Sequence, residues 1–489
     1  MPQKGTGSLE RPVSTRLLLA IILSAVFVSV MTQSLINVVV PVIRNEFGAS
    51  EGQVGWVITG YLLVFAVGIP LYGRVSDLYS LRRTFSFGLL GLAAGSVVCA
   101  LAPTLTLLVA GRILQAVGSS AIPALAFATV ASVLPPGRRG TALGLLSSSV
   151  GIGATVGPVV GGLIVGFADW RVLFYGTLSL ALLLTVGAWH VLPDSALGGD
   201  SAKNRSFDLP GGLFLALASG LALFGVTEGQ AAGFSSTPSW GSFLLAALSA
   251  LLFTRHIRRA QEPFVSPALF RNGPFLAGSS VGFLAMFANL SGLVLLPFLL
   301  SSVNGLPSIQ IGLALVPGAV ALALLSPLAG RLSDRLGPQV PIYAGLSVML
   351  LSVLFLSSYA AGASAILVAL GMLGIGTGFA GVNSPVANAT AATLRGGETG
   401  TGLGIYQMLF FLGGGFGPAI TGAFLAARRE AGTGALNPLY SLDAPPFSDT
   451  FLLIAVVLLL AFLASLRLQR NAGKELGHES VSREVGEDE

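Results

Sequence analysis

Fourteen separate apolar stretches run through this chain, at approximately 16–40, 54–73, 84–103, 106–133, 140–167, 171–193, 209–229, 240–257, 274–301, 308–330, 340–360, 363–393, 399–427 and 449–467. A hydrocarbon core about 30 Å thick takes about 20 residues of helix to cross. Inside it every lipid-facing backbone N–H and C=O has to be bonded within the structure, which leaves helices or closed barrels. Stretches of this length predict an all-α polytopic membrane protein of 14 spans. Composition agrees: 53% of residues are hydrophobic, only 10% are charged, and the mean hydropathy is +0.83. Soluble domains carry about 25% charged residues, so this chain has too few to cover a water-facing surface. The first stretch follows Lys4, Arg11 and Arg16, as in a signal peptide. Its polar Gln33 and Asn37, and the lack of a small-residue cleavage site, predict a retained helix instead.

The same composition removes several function classes. One cysteine, Cys99, rules out disulfide frameworks and cysteine-based metal clusters. His190, His256 and His478 lie too far apart to read as a ligand set, so no metal is predicted. None of the three lysines sits in a phosphate-cradling G-x-x-x-x-G-K-[ST] loop, and no cofactor is expected. An enzyme is not predicted: no nucleophile–base pair and no sizeable soluble domain is legible. Anything this chain moves must draw its energy from a gradient or a partner.

Of the 26 lysines and arginines, 21 fall in alternate loops on one side, Arg112 lies within a span, and only Arg44, Arg171, Arg428 and Arg429 fall on the other. The positive-inside rule then predicts both termini in the cytoplasm, in a cell (inner) membrane. The basic balance is a topology signal, and no nucleic-acid partner is expected. Two polar connections, 193–208 and 258–274, bracket two helices and suggest a 6 + 2 + 6 plan. The expected units are an N-terminal six-helix bundle (1–193), a two-helix insert with its linkers (194–273), a C-terminal six-helix bundle (274–470) and a disordered tail (471–489).

An internal repeat supports two equivalent halves. GRRGTALGLLSSSVGIGATVGPVVGG (137–162) aligns with GGETGTGLGIYQMLFFLGGGFGPAITG (396–422) at a shift of 260, pairing Gly140 with Gly400 and Pro158 with Pro418. GRVSDLYSLRR (73–83) echoes GRLSDRLGPQ (330–339) at a shift of 257. Parallel repeats of this kind are one known transporter plan, with the substrate site near the midplane between them.

These segments resemble the major facilitator superfamily. GRVSDLYSLRR is similar to its loop between helices 2 and 3, keeping Gly73, Asp77 and Arg82, with Ser80 in place of a glycine. GRILQAVGSS (111–120) resembles the fourth-helix motif through Arg112 and Gln115, and GIGATVGPVVGG (151–162) resembles the fifth-helix motif of the drug antiporters. Fourteen spans and DLPGG (208–212) place the resemblance nearest the 14-helix drug:proton antiporters; INVVVPVIRNEFGAS (36–50) and GETGTGL (397–403) look most like the Gram-positive tetracycline-efflux relatives. The resemblance implies a major facilitator fold of two six-helix bundles plus two inserted helices. It also implies a secondary exporter of amphipathic drugs or related small molecules, working as a monomer in exchange for protons. A metabolite facilitator or symporter of the same fold is the alternative.

The candidate site residues follow from both readings. Gly153, Gly157 and Gly161 share one helix face, with Pro158 and Gly162 beside it; small residues at this spacing let helices approach closely. They serve tight packing or, as the resemblance implies, a gate between the halves. Asp77, among Arg74, Arg82 and Arg83, is either a solvated acid in a basic loop or a lock that pairs with an Arg or caps a helix N-terminus. Asp334 with Arg335 is its weaker counterpart. Arg112, alone within a span, should face a cavity or a buried partner. The expected pocket combines Gln33, Asn37, Gln115, Phe287, Asn289 and Asn383. The acids the resemblance would supply in the first and fifth helices are replaced by Thr32 and Ala154, which leaves Glu398, along with Asp77 and Glu228; Glu398 and Arg112 are the expected participants in proton coupling, and Asp77 and Arg82 in coupling or gating.

Overall fold

The computed structural model describes residues 15–197, 207–394, 397–432 and 434–486. They form fifteen α-helices, a short 3-10 turn at Leu269–Arg271, a π-helical turn at Leu356–Ala360, and no strand. The first half comprises α1 (Thr15–Phe47), α2 (Glu51–Leu78), α3 (Leu81–Ala100), α4 (Leu105–Ser119), α5 (Ala121–Val133), α6 (Pro136–Phe167) and α7 (Val172–Val191). Helices α8 (Leu209–Ala232) and α9 (Thr237–Ile257) follow as a hairpin. The second half is α10 (Gly273–Ser302), α11 (Ser308–Leu336), α12 (Gln339–Phe355), α13 (Ala365–Ala392), α14 (Thr399–Ala431) and α15 (Pro445–Gly486). Helices α4 and α5 together make one crossing, so the predicted 14 apolar spans are present among the described residues.

That crossing is broken at Ser120 because Pro123 has no N–H to give to Ser119 and its ring collides with that carbonyl. The tail expected to be disordered continues α15 as helix to Gly486, with no proline to stop it after the apolar part ends at Leu468. Residues 487–489 lie outside the described residues.

Packing follows the repeat. Helix α1 lies on α6, and its equivalent α10 lies on α14. The halves meet along two equivalent seams, α6 against α11 and α14 against α2, while α8 packs on both α2 and α14. A buried ion pair closes the second half at the less basic face. Arg428 donates through Nε and a terminal nitrogen to Asp449 at 2.8 and 2.5 Å, and the Leu436 amide donates to the same carboxylate at 2.7 Å. Removing the fully buried carboxylate deprives both Arg428 and the Leu436 amide of their acceptor. Asp449→Ala is expected to destabilise the protein by about 3–5 kcal/mol, read as a lowered thermal midpoint in detergent.

Candidate functional site

The repeat equivalences converge where the two seams reach the basic face. At the end of α2, Asp77 accepts hydrogen bonds from the amides of Gly400 and Thr401, both at 2.8 Å, and from the Thr401 hydroxyl at 2.6 Å. At the end of α11, Asp334 accepts from the amides of Gly140 and Thr141 and from the Thr141 hydroxyl, all at 2.7 Å. Each carboxylate thus crosses from one half to the other, with the same three donors. At the start of α14 the free amides and the helix dipole both favour the anion.

Glycine makes this approach feasible. A Cβ on Gly73 would lie 2.5 Å from the Gly400 carbonyl oxygen, and one on Gly140 would lie 2.5 Å from the Gly330 carbonyl oxygen. Further bonds span the α6 seam: Ser148 donates to the Ala323 carbonyl at 2.7 Å, and Asn383 donates to Ser147 at 3.2 Å. Across the other seam, Phe65 meets Phe411 edge to face at 5.3 Å between centroids. Arg82 does not pair with Asp77. Its Nε donates to the Leu192 carbonyl at 2.8 Å, tying the start of α3 to the exit of α7. Glu398 is the residue before α14 and is half-buried, lining a cleft of about 250 Å³ together with Arg74, Glu262, Phe264 and Thr401.

Arg112 is fully buried in α4. Its Nε donates to the Val57 carbonyl at 3.3 Å, one terminal nitrogen donates to Gln115 at 2.8 Å, and the guanidinium lies 4.2 Å from the Tyr61 ring centroid. Gln115 in turn donates to Ser96 at 2.7 Å, and the Tyr61 hydroxyl donates to Ser119 at 2.8 Å, itself 2.5 Å from the Ser29 hydroxyl. One cation therefore anchors a polar network reaching α1, α2, α3 and α4. Among the described residues the other buried charged side chains are Arg74, Asp77 and Asp449, and none of these is a hydrogen-bond partner of Arg112.

The expected pocket residues are not gathered into one cluster. Gln115 belongs to the Arg112 network and Asn383 to the α6 seam. Gln33 and Asn289 are half-buried, Asn37 is exposed and Phe287 is buried. The Phe287 carbonyl lies against Gly417, so that residue packs α10 on α14.

The fifth-span glycines also face inward within their own half. A Cβ on Gly153 would sit 2.8 Å from the Phe27 carbonyl oxygen, one on Gly157 2.9 Å from that of Met31, and one on Gly161 2.8 Å from that of Leu35. Their face packs on α1, while the α6 contacts with the opposite half run through Gly140, Gly144 and Gly151. Gly162 has room, its nearest neighbour a Val38 methyl of α1 at 3.7 Å. Gly157→Ala is therefore expected to cost about 1–3 kcal/mol through overpacking, and Gly162→Ala close to nothing, as compared by thermal melting.

Comparison with known proteins agrees with this architecture. The family model described as Major Facilitator Superfamily matches residues 22–418. The multidrug resistance protein Stp of Mycobacterium tuberculosis is 30% identical over 398 residues, covering 81% of this chain and 73% of that protein. The riboflavin transporter RibZ of Clostridioides difficile is 28% identical over 411 residues, 84% of this chain and 88% of that protein. The crystal structure of the human organic anion transporter MFSD10 shares the fold, with a TM-score of 0.70 at 17% identity, over 92% of this chain and 99% of that one. With its two pseudo-equivalent halves, its crossed seams and this match over most of its length, the chain belongs to the Major Facilitator Superfamily, a family of membrane transporters of small molecules.

Proposed function

We propose that this transporter is a secondary exporter of amphipathic drugs or related small molecules, exchanging them for protons by alternating access as a monomer. The observation that carries the reading is the pair of equivalent carboxylate locks, Asp77 on α14 and Asp334 on α6. Both hold the same face shut, so rigid-body separation of residues 1–193 from 274–470 breaks both and opens that face. Positive charge on this face supports a cytoplasmic orientation, with both termini on that side of a cell membrane. Arg112 supplies a fixed buried charge against which a proton or a cargo can be discriminated, and Glu398, which lines the cleft beside the Asp77 lock, is the carboxyl of the coupling. Stp, a multidrug resistance protein, favours drug cargo.

The test uses everted vesicles from expressing cells with an acid-inside gradient. Particular drugs are expected to collapse the gradient, with no collapse in empty-vector vesicles. A silent panel, with a known antiporter responding in parallel, would overturn proton-coupled drug export. It would favour the second reading, a metabolite carrier without antiport, which the riboflavin transporter relative supports. Glu398→Gln is expected to lower pH-driven transport by about tenfold or more, a typical contribution of a positioned proton-transfer group being larger still. Full retention would remove Glu398 from the coupling.

A further inference from the structure

The two-helix hairpin is tied to the locked face through one carboxylate. Asp208, the residue before α8, accepts from the Gly211 amide at 3.0 Å, from the Phe264 amide at 2.8 Å, and lies 2.8 Å from His256 Nε2 at the end of α9. It therefore joins both ends of the hairpin to the loop that follows. Phe264 is fully buried there, against Gly211, Gly212 and the edge of Phe207. A Cβ on Gly212 would meet both Leu71 of α2, at 3.2 Å, and the Phe264 ring, at 3.2 Å. Beyond Phe264 the same loop forms one wall of the cleft whose other wall is Arg74, Glu398 and Thr401. Thr401 is the residue that binds Asp77 through both its amide and its hydroxyl.

We propose that the hairpin and loop 258–272 form a strap that holds the α2–α14 seam closed at the basic face, with Asp208 as its positioning residue. The loop bridges the halves: Phe264 is seated on α8 at Gly211 and Gly212, the latter also facing Leu71 of α2, and the chain then runs through Leu269 into α10 of the second half. Parting the seam pulls these ends apart, so the Phe264 seat has to yield before the Asp77 lock can open. The Asp208 carboxylate suits the task. Burial raises its pKa, but the Gly211 amide, the His256 ring and the Phe264 amide outweigh burial and hold it below the usual carboxylate range. It stays ionised, and charge-assisted bonds are the strong ones.

The strap rests on the alternating-access reading, yet its test needs no cargo. In a Cys99→Ser background, spin labels at Arg83 of α3 and Arg335 of α11 report the distance across the basic face; labels at Arg83 and Arg138 report the integrity of the first half. Asp208→Ala removes every contact of the carboxylate, whereas Asp208→Ser keeps a capping hydroxyl for α8 and loses Phe264 and His256. Both are expected to raise the ratio of long to short cross-face distances about tenfold, the loss expected for one hydrogen bond to a charged group. Phe264→Ala should do the same, and Phe264→Leu should restore the closed distance. If Asp208→Ser matches the parent while Asp208→Ala opens, only the helix cap matters and the strap is overturned. A change in the Arg83–Arg138 distance marks a misfolded variant, and the two Phe264 substitutions then decide. Asp77→Ala separates the two readings. Should it and Asp334→Ala both fail to lengthen the cross-face distance, the alternating-access reading built on the locks falls and the strap with it; should Asp77→Ala succeed where Asp208→Ser and Phe264→Ala do not, the strap alone falls.

Discussion

Arg112→Met is expected to leave the protein as stable as the parent, or more so, while abolishing coupled transport. A buried cation without a hydrogen-bonded carboxylate loses hydration worth several kcal/mol. The bonds that offset this are few: the Val57 carbonyl, Gln115 and the Tyr61 face. A hydrogen bond to a charged group contributes about 1.5–3 kcal/mol and a desolvated cation–π contact about 2 kcal/mol. Those gains roughly balance the desolvation cost, so an apolar side chain of similar length can take the place without net loss. A charge retained for its chemistry gives a different signature: a thermal midpoint at or above that of the parent, with drug-driven proton flux reduced by about 100-fold, equivalent to about 2.7 kcal/mol. Arg112→Lys should also transport poorly, because an ammonium cannot reproduce a planar fork that bonds sideways while stacking on a ring. Equal loss of stability and transport in Arg112→Met would make the residue a structural anchor of α1–α4 and remove it from coupling.

The fold was legible because its constraints are local. A crossing helix announces itself as an apolar run, and only the interruption at Ser120 escaped. Pro70, Pro158 and Pro297 lie inside unbroken helices, so a proline alone does not mark a break in this chain. In a membrane, neighbouring helices re-satisfy the groups a proline frees.

The locks were half legible. Asp77, Asp334 and the paired Gly-Thr steps at 140–141 and 400–401 are all visible in the repeat. What sequence does not carry is which helix end meets which: Asp77 and Gly400 are separated by 323 positions. Nearness along the chain misled twice. Arg82 was grouped with Asp77, but it begins the next helix and turns to Leu192. Gly162 stands next to Gly161, yet at 3.6 residues per turn adjacent residues point about 100° apart: a Cβ on Gly161 would meet the Leu35 carbonyl oxygen at 2.8 Å, whereas one on Gly162 would find only a Val38 methyl at 3.7 Å. In the Arg112 network, Arg112, Gln115 and Ser119 recur at i, i+3 and i+7 along one span, whereas Tyr61 and Ser96 come from other helices and have no signal in that span.

The largest conformational effect is expected from breaking both locks together. Asp77 and Asp334 sit on different seams, touch no common residue, and each bonds three donors of the opposite half. A rigid-body opening has to break both sets at once, so the two contributions act on a single equilibrium and add. If each lock contributes about 3 kcal/mol, two hydrogen bonds to a charged group at the low end of their range, each single alanine variant shifts the closed-to-open ratio by about 100-fold and the pair by about 10,000-fold. A shift of that size carries a population from about 99:1 closed to about 99:1 open. Distances measured between spin labels across the basic face should then show a mostly closed parent, mixed single variants and an open double variant. Transport should fall in the same order, since a carrier held in one state cannot cycle. Asp77→Ala and Asp334→Ala should behave alike, because the Gly-Thr donors and the glycine contacts are equivalent on the two seams. Were one single variant to open the face as fully as the double, the other lock would carry no load, and the functional symmetry inferred from the repeat would fail. Were the double variant to stay closed, the seam contacts at Gly73 and Gly140, with the Ser148 and Phe65 contacts, would suffice to hold the halves together, and neither carboxylate would be a lock.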